Sequence, residues 1–130
     1  MSYFLIGLGS ALGGMARYGL SGLIAGTIGQ TFPWGTLFVN VTGSLAIGFF
    51  ATLTAADGRL LVSPEARQFF MVGVCGGYTT FSSFSLQTLA LVQGGEGLAA
   101  VLNTGLSVLC CLVAVWLGHA AAQALDAPGL

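Results

Sequence analysis

Residues 76–85 read GGYTTFSSFS, and they interrupt a stretch of the chain that is otherwise apolar. Two glycines are followed by hydroxyl side chains, with Phe81 and Phe84 three residues apart. The hydroxyls belong to Thr79, Thr80, Ser82, Ser83 and Ser85. Inside a membrane, irregular backbone is tolerated only where it is buried in protein or lines a cavity. We therefore treat this stretch as a candidate functional site and expect a helix to be broken near its middle there.

The composition places that stretch in a membrane protein. Of 130 residues, 55% are hydrophobic and only 5% are charged, which is too few charges for a soluble domain. Because one span needs about 20 mostly apolar residues, the chain has room for about four. We predict an all-α membrane protein that forms a single four-helix transmembrane domain and crosses the membrane several times, in contact with lipid. The predicted helices cover residues 3–24, 34–54, 66–92 and 98–125, and the third is the broken one.

The distribution of basic residues bears on partners and on orientation. The chain has no lysine and only three scattered arginines, which argues against a patch for nucleic acid. Arg59 and Arg67 flank the loop on the side of both termini, whereas Arg17 lies nearer the other side. Two arginines on one side and one on the other give only a weak positive-inside bias. The chain could therefore insert in both orientations, which makes an antiparallel homodimer possible.

The acidic residues exclude several kinds of transport chemistry. All four lie in predicted loops or the tail: Asp57, Glu65, Glu96 and Asp126. A small multidrug antiporter would need a carboxylate within the membrane, and a cation channel built on acidic rings would need several, so both are excluded. Nothing resembles a nucleophile–base pair, a phosphate loop or a metal-binding cluster, so we predict that the protein is not an enzyme.

Within the predicted helices, most of the polar side chains are neutral hydrogen-bond donors. Thr36, Asn40 and Ser44 recur every four residues and so share one helix face, and Asn103 and Ser107 form a second stripe. Such groups either bond helices together or line a passage, and the spacing leaves both open. Gly9 and Gly13 form a G-x-x-x-G that favours close packing within the bundle.

The phenylalanines and the expected break suggest two kinds of ion contact. Ring edges of Phe81 and Phe84, together with the donors, would favour a small anion, although core packing explains the same spacing. We expect the backbone from Gly76 to Thr79 to leave helical geometry, so that its carbonyls lose their helix partners. In an antiparallel dimer two breaks could meet, and the carbonyls of Gly76 and Thr79 could hold a structural Na⁺. Arg17 either serves such a function or extends to the membrane surface.

Three blocks carry a family resemblance: GSALGGMARYGLSG, WGTLFVNVTGSLAIGF and GVCGGYTTFSSFS. Together they resemble the CrcB/Fluc family of fluoride channels, over all four predicted helices. The resemblance implies a dual-topology homodimer in a bacterial-type inner membrane, with two fluoride pathways and a central Na⁺.

The resemblance also implies roles for individual residues. Phe81, Phe84, Asn40 and Ser107 match the fluoride pathway, and Thr36, Ser82, Ser83 and Asn103 fit its polar lining. Gly76 and Thr79 match the carbonyls that hold Na⁺, and Arg17 matches an arginine near the aqueous vestibule. Gln87 departs from the family, whose members often carry glutamate there.

Two other functions are compatible with the sequence. In a non-conducting scaffold or assembly subunit, the polar stripes would only bond helices together. In a proton-coupled fluoride exporter, flux would respond to a pH gradient. A passive channel needs neither an ATP motif nor a proton-carrying acid.

Overall fold

The computed structural model describes residues 1–126, and over that range every regular element is helical. Two long helices come first, α1 (Ser2–Ile28) and α2 (Trp34–Leu53). A short helix α3 (Pro64–Gln68) then continues through a π-helical segment (Phe69–Cys75) into α4 (Gly76–Tyr78). Helices α5 (Phe81–Gln93) and α6 (Gly97–Asp126) complete the fold. The predicted all-helical architecture is confirmed at this level.

Turn chemistry in the sequence explains where several helices begin and end. Ser63 caps α3, because its Oγ accepts a hydrogen bond from the N–H of Ala66 at 3.1 Å, and Pro64 occupies the first turn. Gly29 ends α1 with a φ of 110°, and Gly95 turns between α5 and α6 with a φ of 79°. Both angles lie in the region that glycine adopts without steric cost.

Glycines let the helices approach closely. Helices α2 and α6 form the most extensive pair. A Cβ on Gly48 would overlap the carbonyl of Val115, and one on Gly118 would overlap the carbonyl of Leu45. Small residues at such crossings let the helix backbones approach closely. Within a membrane, helices associate through this close packing, because lipid is as apolar as the side chains and the hydrophobic effect does not drive them together.

The G-x-x-x-G of α1 also lies at a helix crossing. Gly9 and Gly13 are buried against the π-helical segment, where a Cβ on Gly13 would collide with the carbonyl of Val74. The predicted close packing within the bundle is therefore confirmed.

The outer surface of the bundle is apolar. Large side chains on α6 are exposed, among them Leu98, Leu109 and Trp116, whereas Val39 is the largest apolar side chain that is fully buried in the described chain. Helices α2 and α6 are each long and apolar enough to cross a membrane. An apolar surface of this extent needs a lipid or protein environment.

The helical path that starts at Pro64 is interrupted at Thr79 and Thr80. Both are extended, with φ and ψ of −87° and 160° for Thr79 and −152° and 124° for Thr80. The prediction that Gly76 and Gly77 themselves leave helical geometry is wrong, since both belong to α4. Gly77 instead serves packing, because a Cβ there would lie 2.6 Å from the carbonyl oxygen of Ser10 on α1.

Candidate functional site

A cavity of about 320 Å³ lies beside the interruption and collects residues from several helices. Its walls come from α2, the end of the π-helical segment, α4, α5 and α6. Eight of the residues singled out in the sequence lie around it: Asn40, Ser44, Gly76, Thr79, Thr80, Phe81, Phe84 and Ser107. Residues that are far apart in the chain thus share one space, which the sequence pattern alone did not establish.

Asn40, on α2, is bonded to the backbone of the interruption. Its Nδ2 donates to the carbonyl of Thr80 at 2.9 Å, and its Oδ1 accepts from the N–H of Thr80 at 2.8 Å. Of the two roles that the sequence left open, a hydrogen bond between helical elements is the one the structure contains. The carboxamide also lines the cavity, so its position is compatible with contact to an anion as well.

Phe81 and Phe84 stand next to each other at the start of α5. Their ring centroids are 5.4 Å apart and the ring planes are tilted by 59°. Phe81 is 79% exposed in the single chain, and Phe84 is half-buried. A tilted pair of this kind offers ring edges, which carry the positive part of the aromatic quadrupole. Because Phe81 is so exposed, packing in the core of this chain does not explain it.

The stripe on α6 is buried and only partly reaches the cavity. Asn103 is 1% exposed and donates from Nδ2 to the Oγ1 of Thr88 at 2.9 Å. Ser107 donates to the Oδ1 of Asn103 at 3.5 Å. Ser107 lines the cavity whereas Asn103 does not. Asn103 therefore links α6 to α5 and accepts the hydrogen bond of Ser107 without lining the cavity itself.

The other predicted lining residues lie elsewhere. Thr36 is buried and lines a second, larger cavity of about 660 Å³, which it shares with Gln87 and Glu96. In that cavity's wall, the Oε1 of Gln87 is buried without a hydrogen-bond partner among the described residues. Ser82 and Ser83, on α5, line neither cavity.

Arg17 contacts the interrupted segment from α1. Its Nε donates to the carbonyl of Gly77 at 3.1 Å, in partly buried surroundings. Its neighbour Tyr18 lines the larger cavity, whereas Arg17 is absent from both cavity walls. The guanidinium is therefore bound to backbone, which holds α1 against α4.

Two carbonyls at the interruption lose the donors that a continuous helix would give them. The N–H of Thr80, which would donate to the Gly76 carbonyl, bonds Asn40 instead. The N–H of Ser83, which would donate to the Thr79 carbonyl, bonds the Oγ1 of Thr80 at 3.1 Å. Carbonyls of unwound backbone are suitable ligands for Na⁺. Gly76 and Thr79 therefore fit the cation site that the resemblance implies.

Side-chain chemistry offers no competing cation site in the described part of the chain. Residues 1–126 contain no group of three or more histidine, cysteine, aspartate or glutamate side chains placed to hold a metal ion. A cation near the interruption would therefore take its ligands from backbone carbonyls or neutral side-chain oxygens, and not from an acidic cluster.

Sequence reasoning missed two contacts near the site. The hydroxyl of Tyr78 lies 2.8 Å from the Oγ1 of Thr42, which joins α4 to α2. A buried tyrosine hydroxyl usually finds a partner, and that rule could have directed attention to the threonine two residues after Asn40. The role of Thr80 as the partner of Asn40 had no such signal, because the bonded groups are backbone.

Comparison with known proteins identifies the family. The family described as CrcB-like protein, Camphor Resistance (CrcB), matches residues 4–119. A protein from Rhodospirillum rubrum is 64% identical over 97% of this chain and 98% of its own length. One from Paramagnetospirillum magneticum is 62% identical over 97% of this chain and 98% of its own length. One from Opitutus terrae is 60% identical over 95% and 94%, respectively.

All three relatives carry the name fluoride-specific ion channel FluC. That is the name of a channel, which bears out the prediction that this protein is not an enzyme. The match covers nearly the whole chain, including the interruption and every residue around the smaller cavity. The chain therefore belongs to the CrcB family.

Proposed function

We propose that the protein is a fluoride-selective channel. The observation that carries the proposal is 64% identity, over 97% of the chain, to a protein named fluoride-specific ion channel. The cavity beside the interruption supports it, because Asn40, Phe81, Phe84 and Ser107 all lie around it. These side chains bring neutral donors and aromatic edges, and no fixed negative charge, to one space.

The chemistry of that space suits a small anion. Fluoride is strongly hydrated, so it loses much favourable energy on leaving water unless protein donors replace its shell. Hydroxyl and amide groups can donate, and the edges of the two tilted rings add positive potential. A carboxylate in the cavity would repel the anion. All four carboxylates of the chain lie outside the long helices' interiors, at residues 57, 65, 96 and 126.

The active form in this proposal is an antiparallel homodimer with two fluoride pathways. Phe81 is 79% exposed, so one chain leaves one side of the aromatic pair open, and a second copy would close it. Such an assembly requires that the chain insert in both orientations. The weak arginine bias of the sequence permits this.

A structural Na⁺ occupies the centre of that dimer in our proposal. The carbonyls of Gly76 and Thr79 would hold it, since their helical donors bond Asn40 and Thr80 instead. Gly76 is exposed in the single chain, so a second copy could bring its own carbonyls to the same ion. The ion would neutralise the negative ends of these peptide groups inside the membrane.

The physiological role follows from acid–base chemistry. Neutral HF crosses a membrane from acidic surroundings and dissociates in a near-neutral cytoplasm. The trapped fluoride can then leave passively through a selective pathway in the bacterial inner membrane, which the chain would cross several times.

Flux from liposomes tests this function. Vesicles that contain the purified protein should release F⁻ rapidly and Cl⁻ hardly at all, as read by ion-selective electrodes. Equal release of the two anions would remove the claim of selectivity, and no release of either would favour a non-conducting scaffold. Fluoride flux that follows an imposed pH gradient, and not the F⁻ gradient and voltage, would favour a proton-coupled exporter.

A further inference from the structure

The carboxamide of Asn40 pairs with a single residue through both of its hydrogen-bonding ends. Its Oδ1 accepts from the Thr80 N–H at 2.8 Å, and its Nδ2 donates to the Thr80 carbonyl at 2.9 Å. We infer that Asn40 is a positioning residue, which fixes the interruption between α4 and α5 and thereby releases the Gly76 carbonyl for a cation. The cation part of this inference rests on the proposed function.

The conformation of Thr80 explains why an asparagine suits this position. At φ −152° and ψ 124° the residue is extended, and an extended residue presents its own N–H and carbonyl on the same side. The carboxamide carries an acceptor and a donor on one carbon, so it meets both groups as a neighbouring strand would. Serine, alanine or leucine at position 40 could not make this pair of bonds.

The pair of bonds has consequences on both sides of the interruption. On one side, the Thr80 N–H is withheld from the Gly76 carbonyl. On the other, Thr80 caps α5 through its Oγ1, so that the helix begins at Phe81. Arg17 donates to the Gly77 carbonyl in α4, just before the interruption. Asn40 thus acts through Thr80 on the cation site and on the aromatic pair. This positioning role requires no contact between Asn40 and either the cation or fluoride.

This role differs from that of an anion ligand in what a substitution would change. If Asn40 only contacts fluoride, its loss alters anion flux and leaves the interruption and its response to Na⁺ intact. If it positions Thr80, its loss loosens residues 76–85 and weakens the response to Na⁺. The matched control is Ser44, which lies one turn further along α2 and lines the same cavity.

Hydrogen exchange and thermal stability separate the two roles. We would compare purified wild type, Asn40→Ala and Ser44→Ala, measuring amide exchange in peptides from residues 76–85 and melting temperature against NaCl concentration. We expect Asn40→Ala to exchange about tenfold faster in these peptides, because two hydrogen bonds are lost. The same variant should need more Na⁺ for stabilisation, whereas Ser44→Ala should match the wild type in both respects.

Unchanged exchange and an unchanged Na⁺ response in Asn40→Ala would overturn the inference and leave an anion ligand. If that variant does not fold, Asn40→Leu decides, because leucine is nearly isosteric with asparagine and offers Thr80 neither an acceptor nor a donor. Faster exchange in this variant supports the inference, and wild-type exchange overturns it.

The exchange measurement does not require that the protein conduct fluoride. A wild type that releases no F⁻ from liposomes would defeat the proposed function, while the exchange result would still decide the role of Asn40. A wild type whose melting temperature ignores Na⁺ would defeat the proposed cation site alone.

Discussion

Phe81 and Phe84 are the residues whose roles are most directly tested by substitution. Their rings are 5.4 Å apart, and isoleucine at either position would keep apolar volume while removing the aromatic edge. We expect Phe81→Ile and Phe84→Ile each to lower F⁻ flux from liposomes by at least about tenfold, if one ring edge contributes about 1.4 kcal/mol to passage. Size-exclusion chromatography should show that both variants still assemble as the wild type does.

A second substitution on the same helix provides the control for this prediction. Leu86 is 68% exposed on α5 and lines neither cavity, so Leu86→Ile should conduct as the wild type does. Wild-type flux in both phenylalanine variants would contradict the proposed role and return the rings to packing between chains.

The choice of important residues could be made from the sequence, whereas their partners could not. An amide at position 40 within an apolar helix needs hydrogen bonds, and this requirement alone makes Asn40 a candidate. Its partner is the backbone of Thr80. Because almost every residue offers the same backbone groups, the amino-acid sequence does not identify this partner. Similarly, helical spacing joined Asn103 to Ser107, but the Oγ1 of Thr88 on α5 was not predicted.

At the level of helices, the sequence predicted non-helical backbone at the glycines of the interrupted segment, whereas both are helical. The reason for this difference is physical. Glycine allows both unusual backbone and close approach, and the sequence does not say which of these a position uses. At Gly77 it is close approach, because a Cβ would lie 2.6 Å from the Ser10 carbonyl oxygen. The extended residues are two threonines, whose β-branched side chains favour that conformation.

The π-helical segment Phe69–Cys75 is a second feature of the helices that was not predicted. Hydrophobic periodicity does not distinguish a short π turn from an α-helix over seven residues. The segment leads directly into α4, and its Cys75 carbonyl accepts from both the N–H and the Oγ1 of Thr79 at 3.0 Å. Such turns are frequent at functional sites, which agrees with its place before the interruption.

Adjacent glycines on α1 allow a test of helix packing. A Cβ on Gly13 would collide with the backbone of Val74 and lie 2.8 Å from the N of Tyr78, whereas one on Gly14 would meet nothing within 4 Å. We expect Gly13→Ala to destabilise the protein by about 1–3 kcal/mol through overpacking. Gly14→Ala should be neutral or slightly stabilising, because alanine favours helix more than glycine does.

Melting temperatures in detergent check this pair of variants. A lower midpoint for Gly13→Ala alone is the expected result. Equal midpoints for the two variants would mean that α1 does not depend on close contact with the π-helical segment.

On the scale of the whole molecule, two of the three arginines complete helix ends. Arg67 donates to the Oγ1 of Thr54 at 3.0 Å and to the Ala51 carbonyl at 3.2 Å, at the end of α2. Arg59 donates to the Leu125 carbonyl at the end of α6, and its N–H bonds Asp126 at 2.8 Å. Cations are favourable at helix C-termini. These residues therefore have a structural use that is separate from any influence on membrane orientation.

The proposed antiparallel dimer predicts that orientation can be fixed at the expense of function. Q93R/E96R would add positive charge to the turn between α5 and α6, and A56R/D57R would add it to the loop on the side of the termini. Positive loops stay in the cytoplasm, so each pair should favour one of the two opposite orientations. Each variant expressed alone should then lose most of its protection of fluoride-sensitive cells, because a chain of single orientation lacks its partner.

Co-expression of the two variants should restore that protection, since each supplies the orientation that the other lacks. Growth in fluoride measures the outcome, and a C-terminal reporter active on only one side of the membrane verifies the orientation of each variant. If each variant has a single orientation and still protects cells alone, the subunits need not be antiparallel. If co-expression fails although both variants reach the membrane in opposite orientations, the added arginines act on the pathway itself. The dimer must then be tested by cross-linking of a Phe81→Cys variant.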